Sequence, residues 1–541
     1  MNNTDADWWR SSVIYQIYPR SFADSNGDGI GDLPGIVSRL DYLAALGIDA
    51  IWLSPVFRSP QDDNGYDISD YRDIDPIFGS MEDMRVLIRE AGSRGIRILL
   101  DLVLNHSSDE HAWFRAARRD RRSPYHDYYI WRDGKPDAPP NDMRASFGGS
   151  AWEWESAVGQ FYFHQFSKKQ PDLNWENPAL RAELYDMIRF WVGEGAGGFR
   201  LDVVDHLGKD PDRGITVKGP RLHEFIREMR REAFCEPGLV TVGEAWSADL
   251  DSAMLYSDPK GSELSMVFQF EHIKLDQDGP EKWDPAPLPF LRFKEVIDRW
   301  QTGLSGRGWN SLFWENHDLP RIVSRWGDDG PYRTQSAKML AILLFGLQGT
   351  PYIYQGQELG MTNARYPLED YRDIETLNLY RERTARGMKP EDILRSIHAR
   401  SRDNARTPMQ WTGGESAGFT TGTPWLRVNP NYTEINVQQQ ERDPDSVLHC
   451  YRKLIRLRRE HPVFRDGRFR LLLPENESVF AYTREDGASE LLVLCNFYGR
   501  EIADPLAGRE RGELLIANYP DEASGRLRPY EARIYLRRSP G

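Results

Sequence analysis

Residues 197–206 read GGFRLDVVDH, and they follow a helical pattern, LRAELYDMIRFWVGEGA, at residues 180–196. The run is apolar enough for a buried strand, with Arg200 and Asp202 as its first charged side chains. An amphipathic helix followed by a buried strand is the repeating unit of a parallel α/β sheet. This stretch therefore predicts an α/β fold.

The same unit recurs along the chain. Seven more short apolar runs occur, most of them separated by helical patterns: VIYQIYP (13–19), AIWLSPV (50–56), RILLDLVLNH (97–106), LVTVGEAW (239–246), SMVFQF (265–270), SLFWENHD (311–318) and TPYIYQGQE (350–358). Eight buried strands alternating with helices favour a (β/α)8 TIM barrel. An open, doubly wound parallel sheet is the alternative.

Two gaps between predicted strands are too long for a simple helical crossover. Residues 107–174 contain little helical pattern and many aromatic side chains, which predicts a subdomain B inserted after the third strand. Residues 362–425 form a second insertion, after the eighth strand. Around these, the barrel is predicted over 1–106 and 175–464. From about residue 465 to 541, short apolar runs alternate with turns, which predicts a C-terminal antiparallel β domain.

Composition excludes several classes of protein. The formal charge of 69 − 83 = −14 argues against a nucleic-acid or anionic-membrane partner, since both need a basic surface. The three cysteines have no CxxC spacing, so neither a disulfide framework nor a zinc site is indicated. The N-terminal segment lacks a signal-peptide pattern, and no apolar run reaches 18 residues. We expect a cytoplasmic protein with no membrane partner.

Carboxylates follow three of the predicted strands. Asp202, Glu244 and Asp318 lie at the ends of the fourth, fifth and seventh strands, where barrel enzymes build their active sites. Arg200 precedes Asp202 by two residues, so both side chains point to the same side of the strand. The alternative is three unrelated salt-bridged acids. Together with the high aromatic content, the three acids suggest glycoside cleavage, in which one carboxylate attacks and another protonates the leaving oxygen.

The loop after the first predicted strand is rich in oxygen-bearing side chains. Residues 24–35 read DSNGDGIGDLPG, and the oxygen donors at alternate positions are Asp24, Asn26, Asp28, the Ile30 carbonyl and Asp32. A calcium-sensing EF-hand is not expected, because Gly35 stands where its bidentate glutamate is required. The sequence favours a structural Ca²⁺ or Mg²⁺ site. The alternative is a metal-free turn held by its own Asp and Asn side chains.

Several of these segments resemble one family. The chain resembles the α-amylase superfamily, glycoside hydrolase family thirteen, in its oligo-1,6-glucosidase and α-glucosidase branch. The similarity runs from about residue 8 to the C-terminus and is carried by GYDISDY (65–71), DLVLNH (101–106), QPDLNW (170–175), GFRLDVVDH (198–206), VGEA (242–245), FWENHD (313–318) and RDNARTPMQW (402–411). It implies a catalytic barrel, a B subdomain and a C-terminal β-sandwich.

The resemblance also implies roles for individual residues. It makes Asp202 the nucleophile, Glu244 the acid/base and Asp318 the transition-state stabiliser. The residues implied to bind a short oligosaccharide are His106, Arg200 and His317 in the innermost subsite, Asp63 and Tyr66 with either Arg402 or Arg406 around the non-reducing end, and Phe147 and Phe166 on the aglycone side. No organic cofactor is implied, and the enzyme would be a monomer or homodimer.

Details within the branch follow from single positions. Val203, after the nucleophile, resembles the residue of α-1,6-preferring enzymes, so we expect a slight preference for that linkage. The pocket implied by Asp63 predicts exo-action, and a covalent intermediate allows transglucosylation as a side activity. Glu315 replaces the Asn that is commoner in related proteins. An additional carboxylate there would alter the electrostatics or substrate range of the pocket.

Two other functions fit the resemblance less well. A sucrose isomerase or another glucosyl transferase of the branch would carry an arginine-rich stretch after the seventh strand, where this chain has SRWGDDGPYR at 324–333. The non-catalytic heavy chain of certain amino-acid transporters shares the fold but needs a membrane anchor and can lose catalytic acids. Here all three acids are present and no anchor is visible.

Overall fold

The computed structural model describes residues 7–279, 281–521 and 525–538. Residues 1–6, which begin the segment predicted to lack a signal peptide, lie outside this description. Eight parallel strands form the main sheet: Ile14–Ile17, Ala50–Leu53, Arg97–Leu102, Gly198–Leu201, Val240–Ala245, Met266–Gln269, Ser311–Leu312 and Thr350–Tyr354. Each pairs with its neighbours in chain order and the first also pairs with the eighth. A parallel bridge from Val267 to Asn310 joins the sixth to the seventh and closes the barrel.

The predicted (β/α)8 barrel is thus confirmed, and the open sheet is excluded. Helices follow the strands as Leu33–Val37, Leu40–Leu46, Met81–Ser93, Pro178–Gly193, Leu222–Ala233, Leu250–Tyr256, Phe290–Gly303, Ile322–Trp326, Arg333–Gly346 and Val447–Glu460. Local sequence fixes where several begin. Ser80 and Asp83 form a capping box, and the Asn177 side chain accepts the N–H groups of the first turn of Pro178–Gly193. None of the described helices is both long and apolar enough to cross a membrane.

Two insertions enlarge the barrel. Between the third and fourth strands lie the helix Ala112–Ala117 and an antiparallel sheet of Trp131–Asp133, Trp152–Glu155 and Gln160–Phe163. Aromatic residues fill the core of this sheet, which explains why residues 107–174 contain many aromatic side chains and little helical pattern. After the eighth strand come the helices Ile374–Ala385, Pro390–Arg400 and Asp403–Arg406.

The C-terminal region is an antiparallel β domain, as predicted. Its main sheet contains Arg468–Leu472, Val479–Glu485, Ser489–Asn496, Ala532–Arg538 and Glu513–Ala517, in that spatial order. A two-stranded sheet, Ile502–Ala503 with Arg526–Leu527, packs on it through a small apolar core that includes Val479 and Leu527. Lys294 ties this domain to the barrel by donating hydrogen bonds to three carbonyls of the segment 473–479.

Two strands are shorter than predicted, and both end beside the site. The fourth stops at Leu201, although the N–H of Asp202 still donates to the Leu102 carbonyl at 2.9 Å. The seventh covers only Ser311–Leu312, so the predicted strand 311–318 is mostly loop. There the Asn316 side chain accepts the N–H of Asp318 at 2.8 Å. This local turn belongs to the loop that carries Asp318.

Candidate active site

A single buried guanidinium organises the mouth of the barrel. The Arg200 side chain, 1% exposed, donates to Asp101 at 2.8 Å, to Asp202 at 2.9 Å and to Glu244 at 2.6 Å. Burial opposes its charge, but the carboxylates, with Asp101 and Glu244 foremost, hold the pKa of Arg200 well above its usual range. The ends of the third, fourth and fifth strands therefore meet at one cation. Asp101 was not among the predicted site residues. It lies on the third strand at the level of Arg200 on the fourth.

Asp202 and Glu244 face the same guanidinium from two sides. Burial raises the pKa of Asp202 well above its usual range, and Glu244 and Asp101 add to the effect while Arg200 opposes it. Glu244 also accepts the Trp246 indole N–H at 2.9 Å and the Val203 backbone N–H at 3.1 Å. Val203 has φ of 34°, a left-handed conformation that is a true outlier for a β-branched residue. Backbone strain therefore accompanies the contact between the fourth and fifth strands.

Asp318 is bound by three donors on the opposite side of the mouth. It accepts from Arg406 at 2.7 Å, from Arg402 at 3.4 Å and from His317 at 3.0 Å. Burial alone would raise the pKa of Asp318, but these three neighbours hold it well below its usual range. Asp318 is therefore ionised under ordinary conditions.

His317 and Tyr66 form a stacked pair beneath Asp318. Their rings lie 5.3 Å apart and nearly parallel, and the Tyr66 hydroxyl lies 2.6 Å from His317 Nε2. The Gln16 amide nitrogen lies 2.8 Å from His317 Nδ1, and His317 Nε2 lies 3.0 Å from the Asp318 carboxylate. With a proton on Nε2, His317 donates to Asp318.

The arginine that joins Asp63 is Arg402. It donates to Asp63 at 3.1 Å and to Asp373 at 2.6 Å, whereas Arg406 binds Asp318 and the His317 carbonyl. Asp373 is completely buried and also caps the helix Ile374–Ala385 by accepting the N–H of Thr376. Sequence reasoning missed Asp373. Its only signal in the sequence would have been its place in the insertion predicted after the eighth strand.

The remaining predicted substrate residues surround the same space. His106 lies against the Tyr66 carbonyl at 3.0 Å, and burial lowers the pKa of its imidazole to about 4, so that it is neutral. The Phe166 ring lies 5.3 Å from the His106 ring, and the Phe147 ring lies 5.2 Å from the Arg402 guanidinium. Phe166 therefore adjoins a residue predicted for the innermost subsite, and Phe147 adjoins one predicted for the non-reducing end.

These groups enclose a cavity of about 590 Å³, a size that suits a small ligand. The predicted residues that line it are Asp63, Tyr66, His106, Phe147, Phe166, Asp202, Val203, Glu244, Asp318 and Arg402. Arg200, His317 and Arg406 support it from behind. The lining residues that sequence reasoning missed include His206, Trp246, Lys282, Glu375, Asn378 and Arg383. Trp246 was detectable, because it directly follows the fifth strand two residues after Glu244.

Comparison with known proteins assigns the family. The α-amylase catalytic-domain family matches residues 16–467. The chain belongs to the α-amylase family of glycoside hydrolases. An oligo-1,6-glucosidase of Halalkalibacterium halodurans is 52% identical over 98% of this chain and 99% of its own length. A trehalose-6-phosphate hydrolase of Escherichia coli is 48% identical over 98% of this chain and 99% of its own. The crystal structure of isomaltulose synthase from Klebsiella sp. LX3 superposes with a TM-score of 0.95 at 42% identity, covering 98% of this chain and 99% of that one.

This glycoside hydrolase is of the α-glucosidase type, as the sequence resemblance implied. The fold, the enzyme class and the branch predicted from sequence are confirmed. Because the relatives differ in substrate, the linkage that this enzyme cleaves and the acceptor that it uses depend on the residues of its own pocket.

The loop 24–32 of the enzyme lies away from the residues that line the pocket. Asp24 accepts the N–H groups of Asn26, Gly27 and Gly29, and Asp28 accepts that of Ile30. Asp24 is partly buried, which opposes ionisation, but a hydrogen bond from Thr420 and the backbone N–H groups lower its pKa.

The donor set of this loop fits a hard cation in part. Both oxygens of Asp32 are engaged, by the N–H of Gly35 and by Ser25. Across the described part of the chain, no three His, Cys, Asp or Glu side chains are placed to hold a metal ion. Asp24, Asn26 and Asp28, with the Ile30 carbonyl, supply oxygens that Ca²⁺ accepts from carboxylates, amides and backbone.

Asp373 provides a test of how the pocket is held. In Asp373→Asn, asparagine still caps the helix but Arg402 loses one of its charged partners, so we expect KM to rise about tenfold. The melting temperature should also fall, because a buried arginine loses part of its compensating charge. Asp249→Asn is the control for capping, since Asp249 caps the helix Leu250–Tyr256 and its cation partner, Lys218, is not among the pocket-lining residues. Steady-state kinetics on p-nitrophenyl α-glucoside would give both constants, and an unchanged KM would contradict the prediction.

Proposed function

We propose that the enzyme is a retaining, exo-acting α-glucosidase that removes terminal glucose from short oligosaccharides, with α-1,6 bonds slightly favoured over α-1,4. The observation that carries the proposal is the shared guanidinium of Arg200, which holds Asp202 and Glu244 side by side at the cavity. Retaining glycosidases need two carboxyl groups that lie close together, one nucleophile and one proton donor.

The first step forms a covalent intermediate. Asp202 attacks the anomeric carbon while Glu244 protonates the glycosidic oxygen, so the bond to the leaving sugar breaks and a β-glucosyl ester forms on Asp202. The surroundings of Asp202 favour one proton on the pair of carboxyls, and catalysis needs that proton on Glu244. The Trp246 indole N–H fixes the orientation of the Glu244 carboxyl.

The second step releases glucose. Glu244 removes a proton from water, the water oxygen attacks the anomeric carbon, and the ester bond to Asp202 breaks, which leaves α-glucose. A sugar hydroxyl in place of water gives a transglucosylation product by the same route. Asp318, held ionised by His317 and its two arginines, is suited to stabilise the positive charge that develops on the sugar ring.

The wall at the non-reducing end explains exo-action. Asp63 and Arg402 form an ion pair beside Asp318 and offer both acceptors and donors to sugar hydroxyls. A glucose seated against this pair has no room to continue beyond it. The enzyme therefore takes one terminal glucose at a time.

The catalytic assignments are tested by chemical rescue. With an activated glucoside, Glu244→Ala plus azide should give the α-glucosyl azide, because azide attacks the ester on Asp202 from the face opposite to it. Asp202→Ala plus azide should give the β-glucosyl azide, because azide then replaces the nucleophile. Both variants should release almost no glucose from isomaltose without azide. Product stereochemistry by NMR decides, and glucose release by Asp202→Asn at the native rate would refute the mechanism.

Charge pairing at the outer pocket supports a neutral substrate. Lys282 pairs with Glu375 at 2.6 Å, and Arg383 pairs with Glu281 at 3.1 Å and with Asp284 at 3.0 Å. A phosphate group would have to compete with carboxylates already bound to these cations. At these two cations, a neutral disaccharide meets less competition than trehalose 6-phosphate, the substrate named for one relative.

A substrate panel tests linkage and charge together. We expect kcat/KM to be higher for isomaltose than for maltose, and trehalose 6-phosphate to react no faster than trehalose. Val203→Thr, an isosteric change beside the nucleophile, should lower the ratio of kcat/KM for isomaltose to kcat/KM for maltose by about tenfold or less. This change corresponds to about 1 kcal/mol. Sucrose should yield glucose and fructose. Isomaltulose or trehalulose as main products would favour the sucrose isomerase instead.

We also propose that the loop 24–32 binds a structural divalent cation, Ca²⁺ or Mg²⁺, through Asp24, Asn26, Asp28 and the Ile30 carbonyl, with Asp32 placed as a further donor if Ser25 yields. Two glycines with left-handed backbones, Gly27 and Gly29, allow the loop to coil tightly. The metal would stabilise the loop and take no part in the reaction.

Chelation provides the test of this site. EDTA should lower the melting temperature by a few degrees, and added Ca²⁺ should restore it, while kcat at 25 °C stays unchanged. Asp28→Ser should lower the melting temperature in the absence of EDTA and remove the response to it. An identical melting curve with and without EDTA would leave the metal-free turn as the correct description.

A further inference from the structure

Glu315 is an acid of the catalytic loop that does not face the pocket. The sequence suggested that it would alter the electrostatics or substrate range of the pocket, but it is not among the lining residues. It is 2% exposed, and its carboxylate accepts from the Arg321 guanidinium at 3.0 Å and from the Ile322 N–H at 2.5 Å. Any effect of Glu315 on the pocket therefore passes through its partners.

The partner of Glu315 connects three separate segments. Arg321 is completely buried, and its guanidinium also donates to the Gln355 carbonyl at 2.7 Å and to the Ala405 carbonyl at 3.1 Å. Gln355 directly follows the eighth strand, and Ala405 lies in the second insertion. Glu315 is the acid that neutralises Arg321. Without it, a buried cation would be left with carbonyl partners only.

Ala405 lies in the segment Arg402–Arg406, which carries both arginines that bind Asp318. The two are anchored differently. Arg402 has two further hydrogen bonds to Asp373. Arg406 bonds the His317 carbonyl and Asp318, and its contact with Asp373 is a longer 3.8 Å. The position of Arg406 therefore depends more on how the backbone around Ala405 is held.

We propose that Glu315 is a positioning residue that acts through Arg321 to hold the segment Arg402–Arg406 against Asp318. The two acids of this loop, Glu315 and Asp318, then act on the segment Arg402–Arg406 in different ways. Glu315 fixes its backbone through Arg321, and Asp318 accepts hydrogen bonds from the side chains of Arg402 and Arg406. The inference rests on the role proposed above for Asp318 as the stabiliser of the transition state.

The test uses a substitution that preserves shape. Glu315→Gln keeps the size and an acceptor oxygen but removes the charge that orients Arg321. We expect kcat on p-nitrophenyl α-glucoside to fall about tenfold, because a displacement well under 1 Å at a catalytic group has effects of this order. KM should change less than twofold, since Arg402 remains anchored by Asp373 and Asp63 by Arg402. Glu315→Asp, which keeps the charge on a shorter stem, should recover part of the loss.

A double-mutant cycle separates positioning from general destabilisation. Arg321→Met should lower kcat by itself, and adding Glu315→Gln to it should have no further effect. Glu531→Gln is the matched control, because Glu531 is an equally buried acid that pairs with Arg533 in the C-terminal β domain instead. It should lower the melting temperature without lowering kcat at a temperature where the enzyme is folded.

Three outcomes would overturn the proposal. They are an unchanged kcat in Glu315→Gln, a kcat lowered equally by Glu531→Gln, and independent effects of Glu315→Gln and Arg321→Met. Asp318→Asn, measured alongside, tests the proposed function separately. If Asp318→Asn is inactive while Glu315→Gln is normal, only the positioning role fails. If Asp318→Asn is active, the role of Asp318 itself is refuted.

Discussion

The structure depends on one buried cation, the guanidinium of Arg200, which is bound by Asp101, Asp202 and Glu244. Three buried carboxylates repel one another, and their burial carries a large desolvation penalty. A guanidinium offsets both, and its planar fork also fixes the directions from which the acids approach. A lysine would supply the charge without that geometry. Because the three acids come from three adjacent strands, the register of the barrel and the arrangement of the catalytic groups are one and the same constraint.

A second arginine-centred cluster completes the site from outside the barrel. Arg402 and Arg406 come from the insertion after the eighth strand, and they meet Asp63, Asp318 and Asp373. The barrel alone would present Asp318 to the cavity with His317 as its polar partner. The insertion supplies the positive charge that keeps this acid ionised, and it forms the wall of the pocket at which we propose the non-reducing end of the substrate to lie. The length of the insertion allows it to extend from the end of the eighth strand to Asp318 at the barrel mouth.

The sequence predicted the scaffold better than the arrangement of the site. Eight apolar runs were enough for the barrel, since each buried strand carries its signal within a few residues. The acids at the strand ends followed from the same pattern, because strand ends of a barrel converge. Asp373 and Arg321 could not be found in this way. Their roles arise from contacts with Arg402 and Ala405, which are distant in the chain, and no local periodicity records such contacts. Glu315 shows the same limit, since its place beside His317 suggested the pocket while its side chain turns to Arg321.

Val203 illustrates why a single position near the nucleophile must be interpreted with its backbone. Its side chain lines the pocket, which makes it a candidate for discriminating between linkages. Its backbone adopts a left-handed conformation that β-branched residues avoid, at a cost of about 1–3 kcal/mol. That conformation turns the Val203 N–H towards Glu244, where the bond of 3.1 Å helps to orient the proposed acid/base. A residue at this position therefore affects both the shape of the pocket and the orientation of the proposed proton donor. Substitutions here can change the overall rate and the linkage preference together, and only the ratio between two substrates isolates the second effect.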